Sequence, residues 1–471
     1  MFSLANNYKN GEGTEKNLEK AYYWYQKAAE NGDEEAMFSL AICYNNGEGT
    51  EKNLEKGFYW YQKAAENGDT DAMFNLANNY RTGKGTEKNL EKGFYWYQKA
   101  AENGHIYAIF NLAISYYNGE GTEENLEKAF YWYQKAAENG FKEAIFNLAN
   151  NYKNGEGTEK NLEKAFHWYK KAAENGNKKA MSSLAISYEN EEKTEKNLEK
   201  AFYWYKKAAE NGDEEAMFNL AIFYENGEGT EKNLEKAFYW YQNAAEDGNE
   251  KAMNSLAIFY ENGEGTEKNL EKAFYWYQKA AENDNEEAIF NLAICYNNGE
   301  GTEKNLEKAF YWHQKAAENG DKKAMFNLAN SYYNGKGTEK NLEKAFHCGE
   351  GTEKNLEKAF YWCQKAAKNN YKEAMFNLAI FYKSGEGTEK NSEKAFYWYK
   401  KAAKNGNEKA MTNLANIYFN GEGIEKNLEK AFYWYQKATK NGDKNAMLNL
   451  ANSYYNGEGT EKNLEKAFYC Q

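Results

Sequence analysis

Proline is absent from all 471 residues. A chain without it carries no fixed-φ kinks and keeps every backbone donor, which suits helices joined by short turns. The five cysteines, Cys43, Cys295, Cys348, Cys363 and Cys470, fall at irregular spacings. They form no disulfide framework, and a reducing, cytoplasmic compartment is expected. The four histidines, His105, His167, His313 and His347, never pair at ligand spacing and have no Cys or Asp constellation nearby. No metal site is therefore expected. No Ser-His-Asp or Cys-His arrangement recurs, so the expectation is no catalytic residue, no cofactor and no enzyme. No run of 18 apolar residues exists, which excludes a helical membrane span. There is no basic and apolar leader at the start. The net charge of −12 lacks the clustered cations that nucleic acid requires.

What the chain has instead is repetition. Trp24, Trp60, Trp96, Trp132, Trp168, Trp204, Trp240, Trp276 and Trp312 stand 36 residues apart, and Trp362, Trp398 and Trp434 follow at 50, 36 and 36. Self-similarity at one period overrides the prior of several globular domains. The whole chain reads as one array of about thirteen units, some incomplete.

One stretch of the repeat, Gly-Glu-Gly-Thr-Glu-Lys-Asn, looks at first like a phosphate-cradling loop. It lacks the third glycine of the dinucleotide fingerprint and the Gly-Lys-Ser/Thr ending of the nucleotide loop. It also lies between two helical patterns, whereas a nucleotide loop follows a strand. The reading is a corner between helices.

In residues 35–70, Met37, Leu40, Ala41 and Tyr44 mark one face of a first helix, A. Asp33 is placed to cap it, and Gly47 to end it in the left-handed region. A second helix, B, starts at the capping Asn53 and is closed by Gly68. Leu54, Gly57, Phe58, Tyr61 and Ala65 form one apolar stripe on it, with Trp60 and Ala64 forming another beside it. A helix apolar on two sides must be covered on two sides. Helix B is therefore expected between its own helix A and the next. A single hairpin cannot offset the entropy of ordering its residues, so each unit needs neighbours. The fold class is all-α, an α/α solenoid of 36-residue helix-turn-helix repeats.

Residues 179–214 show the repeat at full density: Ala180, Leu184, Ala185, Tyr188, Lys200, Ala201, Trp204, Tyr205, Lys207, Ala208, Ala209 and Gly212. This pattern resembles the Sel-one-like repeat (SLR), a relative of the tetratricopeptide repeat (TPR). The resemblance covers the whole chain; Thr50 and Asn53 depart from the family's usual small apolar residue and Asp. It implies a right-handed α/α superhelix that acts as a scaffold or adaptor in signalling or protein-quality complexes. Some members stand behind a kinase domain and others activate enzymes. A regulatory segment of a larger signalling protein, or an activator subunit, is therefore the alternative. A β-lactam-directed activity ascribed to members with a cysteine pair in each repeat is not carried over, because this chain has no such pairs.

In tetratricopeptide relatives the first helices make a concave wall along which peptides lie. The positions that match here are 38, 39, 42 and 43 of the second unit and their equivalents. They give Phe38, Ile42, Phe74, Asn75, Asn78, Asn79, Asn111, Asn147, Asn150 and Asn151 as candidate partner-binding residues. Asparagine offers both a donor and an acceptor to an extended backbone. Protein or peptide clients are the expected partners.

The period breaks at 343–363, where the repeat restarts after 14 residues. Residues 1–340 and 353–471 are accordingly read as two parts of one array, with 341–352 an irregular partial duplicate. Leu356 to Ala367 is expected to supply the packed helix, with 338–351 bulging out. Glu191 and Lys193 replace glycine at another corner, which is expected to be strained or reshaped. The chain begins inside a helix A and finishes inside a helix B, without polar capping repeats. The expectation is a fragment of a longer protein, or end-to-end self-association.

Overall fold

The computed structural model describes residues 1–190, 197–337 and 355–469. Those residues hold 26 α-helices and no strand. The chain divides into two compact units, Met1–Lys232 and Asn233–Gln471. Each unit is a succession of helical hairpins in which nearly every helix has about the same length.

In the first unit, helix A of the second repeat runs Glu34–Asn46, helix B runs Leu54–Glu66, and the next helix A runs Thr70–Thr82. Helix A begins where the Asp33 carboxylate accepts the backbone N–H of Ala36 at 2.9 Å. It ends at Gly47, φ 77°, whose N–H returns to the Cys43 carbonyl. Helix B begins where the Asn53 side chain accepts the N–H of Lys56 at 2.9 Å. Both caps satisfy donors that the first turn would leave orphaned. The end of helix B differs slightly from expectation. Asn67 is the closing residue, and Gly68, φ 108°, turns the chain one position later.

Met37, Leu40, Ala41 and Tyr44 are buried, as are Gly57, Tyr61, Ala64 and Ala65, while Leu54, Phe58 and Trp60 are half-buried. Helix B lies against its own helix A and against the next one. Phe58 meets Tyr80 of the following helix A edge-on, with ring centroids 5.2 Å apart. The second unit repeats the arrangement: Phe274 of Leu270–Glu282 meets Tyr296 of Glu286–Asn298 at 5.2 Å. Each such edge-to-face pair adds about 0.5–1.5 kcal/mol beyond its buried area.

Where the period breaks, Leu356–Lys368 packs as the helix B of Lys322–Asn334. The N–H of Asn355 reaches the Tyr332 carbonyl at 2.9 Å, the closure that Asn53 makes to Tyr44 at 2.8 Å. The second of the two near-copies thus supplies the packed helix. The bulge at 338–351, the irregular stretch 341–352, the Glu191 and Lys193 corner, and His347, Cys348 and Cys470 lie outside the described residues. Just before that corner, Lys178–Glu189 ends at Asn190 with φ −92°, without the left-handed glycine that closes its neighbours.

The two corner glycines do different work. The first, Gly47 and its equivalents, ends helix A at positive φ. The second sits on the preceding repeat. A Cβ on Gly121, φ 74°, would lie 2.1 Å from the carbonyl oxygen of Leu90, at the start of the previous helix B. Equivalent contacts put Gly85 on Leu54, Gly157 on Leu126 and Gly301 on Leu270. Gly13, φ 71°, has nothing within 4 Å of its own would-be Cβ. The pair separates conformation from contact. Gly13→Ala is expected to cost about 1–2 kcal/mol for its backbone conformation alone. Gly121→Ala is expected to cost about 3 kcal/mol or more, because two backbones must part. Urea unfolding of the two full-length variants measures the difference.

Candidate partner-binding face

Successive A helices turn one face outward between their buried residues, and most of the candidate residues lie on it. Phe38, Ile42, Phe74, Asn75, Asn78, Asn111, Asn147 and Asn150 are all half-buried. Asn79 and Asn151 are not on that face: they are 4 % and 2 % exposed. Their column also holds Cys43, Ser115, Phe223 and Phe259, all buried, and it packs on the preceding helix B: Phe223 meets the Tyr205 ring at 5.3 Å and Phe259 the Tyr241 ring at 5.1 Å. Asn151 Nδ2 donates inward to the Glu156 carbonyl at 3.0 Å.

The remaining asparagines divide by what they touch. Asn75 and Asn111 donate through Nδ2 to the carbonyls of Asp71 and Tyr107, each at 2.8 Å and one turn back. Asn78 and Asn150 accept, through Oδ1, the hydroxyls of Tyr97 and Tyr169 at 2.6 Å. Asn416 does the same for Tyr435 at 2.6 Å, and Asn449 of the next helix A approaches its Oδ1 at 3.4 Å.

These tyrosines are residues that sequence reasoning left in the core without a further role. Each rises from helix B between two A helices, almost wholly buried, with its hydroxyl at the level of the A-helix face: Tyr97 and Tyr205 are 1 % exposed. A buried hydroxyl without a partner is costly, so something must meet it. At Tyr25, Tyr97, Tyr169 and Tyr435 the asparagine of the Asn78 column meets it. Where the column holds Ile42, Ile186 or Ile258, a residue one turn on takes over. Tyr205 donates to Glu189 Oε2 at 2.7 Å beyond Ile186, Tyr277 donates to Glu261 beyond Ile258, and Asn45 Nδ2 donates to Tyr61 Oη at 3.3 Å beyond Ile42. The sequence carries the signal as an exchange: Asn78 with Arg81 and Asn150 with Lys153, against Ile186 with Glu189 and Ile258 with Glu261. Ile114 with Tyr117 departs from it, and there Asn147 of the next helix A hydrogen-bonds to Tyr133; Ile380 with Lys383 departs from it as well. The asparagines that meet Tyr97, Tyr169 and Tyr435 are therefore tied to the core as well as to the face.

The architecture just described is that of a known repeat. The Sel1 repeat family model matches residues 1–33, 34–69, 70–105, 106–141, 142–177, 178–213, 214–249, 250–285, 286–321, 322–348, 347–371, 372–407, 408–443 and 444–470. The chain belongs to the Sel1 repeat family. The matches make fourteen repeats, and the short ones at 322–348 and 347–371 overlap at the break in period. Among solved structures, the array is similar to c5321, a protective antigen of uropathogenic Escherichia coli strains displaying an SLR fold. That likeness is at 31% identity and TM-score 0.79, over 95% of this chain and 93% of that one. It is also similar to a Sel1 repeat protein of Oxalobacter formigenes, at 26% identity and TM-score 0.53, over 67% of this chain and 88% of that one. No curated protein matches the chain. Sel1 repeats are protein-interaction modules of a generally non-catalytic family.

His105 caps a helix: its Nδ1 accepts the N–H of Ala108 at 3.1 Å and its Nε2 lies 3.2 Å from Asp71. Burial holds its pKa below the ordinary value, against the pull of Asp71. Burial pushes the Cys43 thiol up to about 11 and the Cys295 thiol to about 12, so neither supplies a thiolate at neutral pH. Among the described residues no group of His, Cys, Asp and Glu is arranged to hold a metal, and no helix is long and apolar enough to cross a membrane. A second face carries the remaining aromatic of each helix B. Tyr59 and Tyr95 are about half exposed, each edge-on to the adjacent tryptophan at 5.3 Å.

Two measurements check the hydroxyl rule. Asn78→Ile leaves the Tyr97 hydroxyl unpaired and is expected to cost about 1–3 kcal/mol. Adding Arg81→Glu recreates the arrangement of Ile186, Glu189 and Tyr205, and a double-mutant cycle is expected to recover about 1–2 kcal/mol of it. The second concerns pH. Burial raises the phenols of Tyr97 and Tyr399 from 10.0 to about 12. A pKa higher in the folded than in the unfolded chain gives stability that is complete below pH 10. It is lost as pH rises, because the unfolded phenol ionises first. The urea midpoint is expected to fall between pH 10 and 12, each such tyrosine withdrawing on the order of 1–3 kcal/mol.

Proposed function

We propose that this Sel1 repeat array is a non-catalytic scaffold that holds protein or peptide clients along the face made by successive A helices. The observation that carries the reading is a row of paired side chains that returns with the repeat. Phe74 stands beside Asn75, Phe110 beside Asn111 and Phe146 beside Asn147, every one of them half-buried. The phenylalanine gives a client apolar surface, and the amide gives it a donor and an acceptor. The back-bonds from Asn75 to Asp71 and from Asn111 to Tyr107 hold those amides in place before a client arrives. Side chains already ordered cost a complex less entropy.

The division among asparagines sets the experiment. Asn78 and Asn150 hold core hydroxyls, so changing them tests stability as well as binding. Asn75 and Asn111 change the face with less cost to the core, since their amides bond only within their own helix. The full chain and an Asn75→Glu, Asn111→Glu variant are compared for client retention from a lysate, with thermal melts alongside. The variant is expected to lose the clients while each half-buried substitution shifts stability by about 1 kcal/mol or less. Equal recovery by a folded variant overturns the assignment to this face.

A further inference from the structure

Two neighbouring repeats break the tyrosine rule. Among the described full-length B helices, the buried tyrosine is replaced by His313 in Leu306–Glu318 and by Cys363 in Leu356–Lys368. Both flank the same helix A, Lys322–Asn334, and each opens a cavity at the vacated place. The cavity over His313 has a volume of about 290 Å³, and His313 Nδ1, in a side chain only 4 % exposed, has no hydrogen-bond partner. The cavity over Cys363 has about 330 Å³ and lies between Lys322–Asn334 and Lys372–Ser384. That is the lower end of the range of ligand pockets.

The Cys363 cavity has an apolar depth and a polar rim. Cys363 and Phe381 at its depth are 1 % and 6 % exposed, whereas Asn330, Asn377 and Glu386 are half-buried around the opening. Tyr333 donates across that rim to Glu386 Oε2 at 3.1 Å. Asn330 is the counterpart of Asn78, which receives the hydroxyl of Tyr97; Cys363 has no hydroxyl to give. The thiol turns aside instead, to the Ala374 carbonyl at 3.3 Å. In every other described full-length B helix except Leu306–Glu318, a buried tyrosine ring of this chain stands at the same position.

We propose that the Cys363 cavity is an anchor site for an aromatic side chain of a client peptide. The ring takes the place of the missing tyrosine ring, and the client's backbone amide groups meet Asn330 and Asn377 at the rim. A buried aromatic in a desolvated pocket is the usual form of a binding hot spot, and two rim amides match one peptide unit. This rests on the reading of the A-helix face as the client surface. It adds where on that face a client is held and by which class of side chain.

The test uses the full chain and N-acetylphenylalanine methylamide, titrated by calorimetry and ligand-observed NMR. Saturable binding is expected for the unmodified protein. Cys363→Tyr, which restores the ring of the other repeats, is expected to weaken it about tenfold or more with the melting temperature kept or raised. Asn330→Leu leaves the cavity and is expected to weaken the same probe about tenfold through the lost amide. No binding to the unmodified protein, or equal binding to Cys363→Tyr, overturns the proposal. Tighter binding of p-cresol than of the blocked phenylalanine identifies a free phenol as the occupant and overturns the peptide. Clients that survive Cys363→Tyr but not the Asn75→Glu, Asn111→Glu changes uphold the face and refute the anchor. Probe binding by a chain that retains no client upholds the anchor and refutes the face.

Discussion

A phenol hydroxyl buried between three helices is the constraint on which most of this array turns. The tyrosine that follows all the tryptophans but Trp312 and Trp362 fills the space that helix B leaves between its own helix A and the next, and filling it takes the hydroxyl out of water. Two recurring ways of meeting that hydroxyl are Asn78 or Asn150 from one position and Glu189 or Glu261 from a position one turn on. Helix geometry makes the two positions equivalent, since residues three apart on a helix share a face. At Tyr205 and Tyr277 a single glutamate then frees the other position, which isoleucine takes.

The second constraint is the approach of one repeat's corner to the start of the previous helix B. The carbonyl of Leu90 leaves no room for a side chain at Gly121, and the same holds for Leu54 below Gly85 and Leu126 below Gly157. The glycines that first suggested a phosphate loop are there because two backbones meet. The first glycine ends a helix and the second lets repeats close on one another. Contacts of this kind run between neighbours only, so stability accrues repeat by repeat.

The fold was legible because its signals are local and repeated. The tryptophan spacing, the Asp33 and Asn53 caps and the Gly47 stop each name an element without reference to anything distant. The candidate face was only partly legible. Asn79 and Asn151 look like surface residues, because a column holding Asn, Ser and Cys reads as polar. Its burial follows from the preceding helix B, whose tyrosine ring packs on the same column at Phe223 and Phe259, and spacing within one helix does not report that. The role of Asn78 was visible only as a correlation with Arg81, and interpreting it required knowing that a hydroxyl from 19 residues later arrives between them. The period break was legible for its helix, since Leu356–Lys368 carries the tryptophan that its partial copy lacks.

Repeats that contact only their neighbours also explain how the vacancy at Cys363 is tolerated. Losing a buried ring from a single globular core typically costs about 3–5 kcal/mol of a total of about 5–15, which few domains withstand. In a solenoid the loss stays within two hairpins while the others keep their full interfaces. Here it falls where the hairpin retains its cap at Asn355, its closure to Tyr332 and the Phe360–Tyr382 ring pair at 5.3 Å. Among the described residues these scaffolding contacts persist although the ring is gone. A position whose side chain can be removed without disturbing its frame is the position at which a repeat array can exchange stability for a pocket.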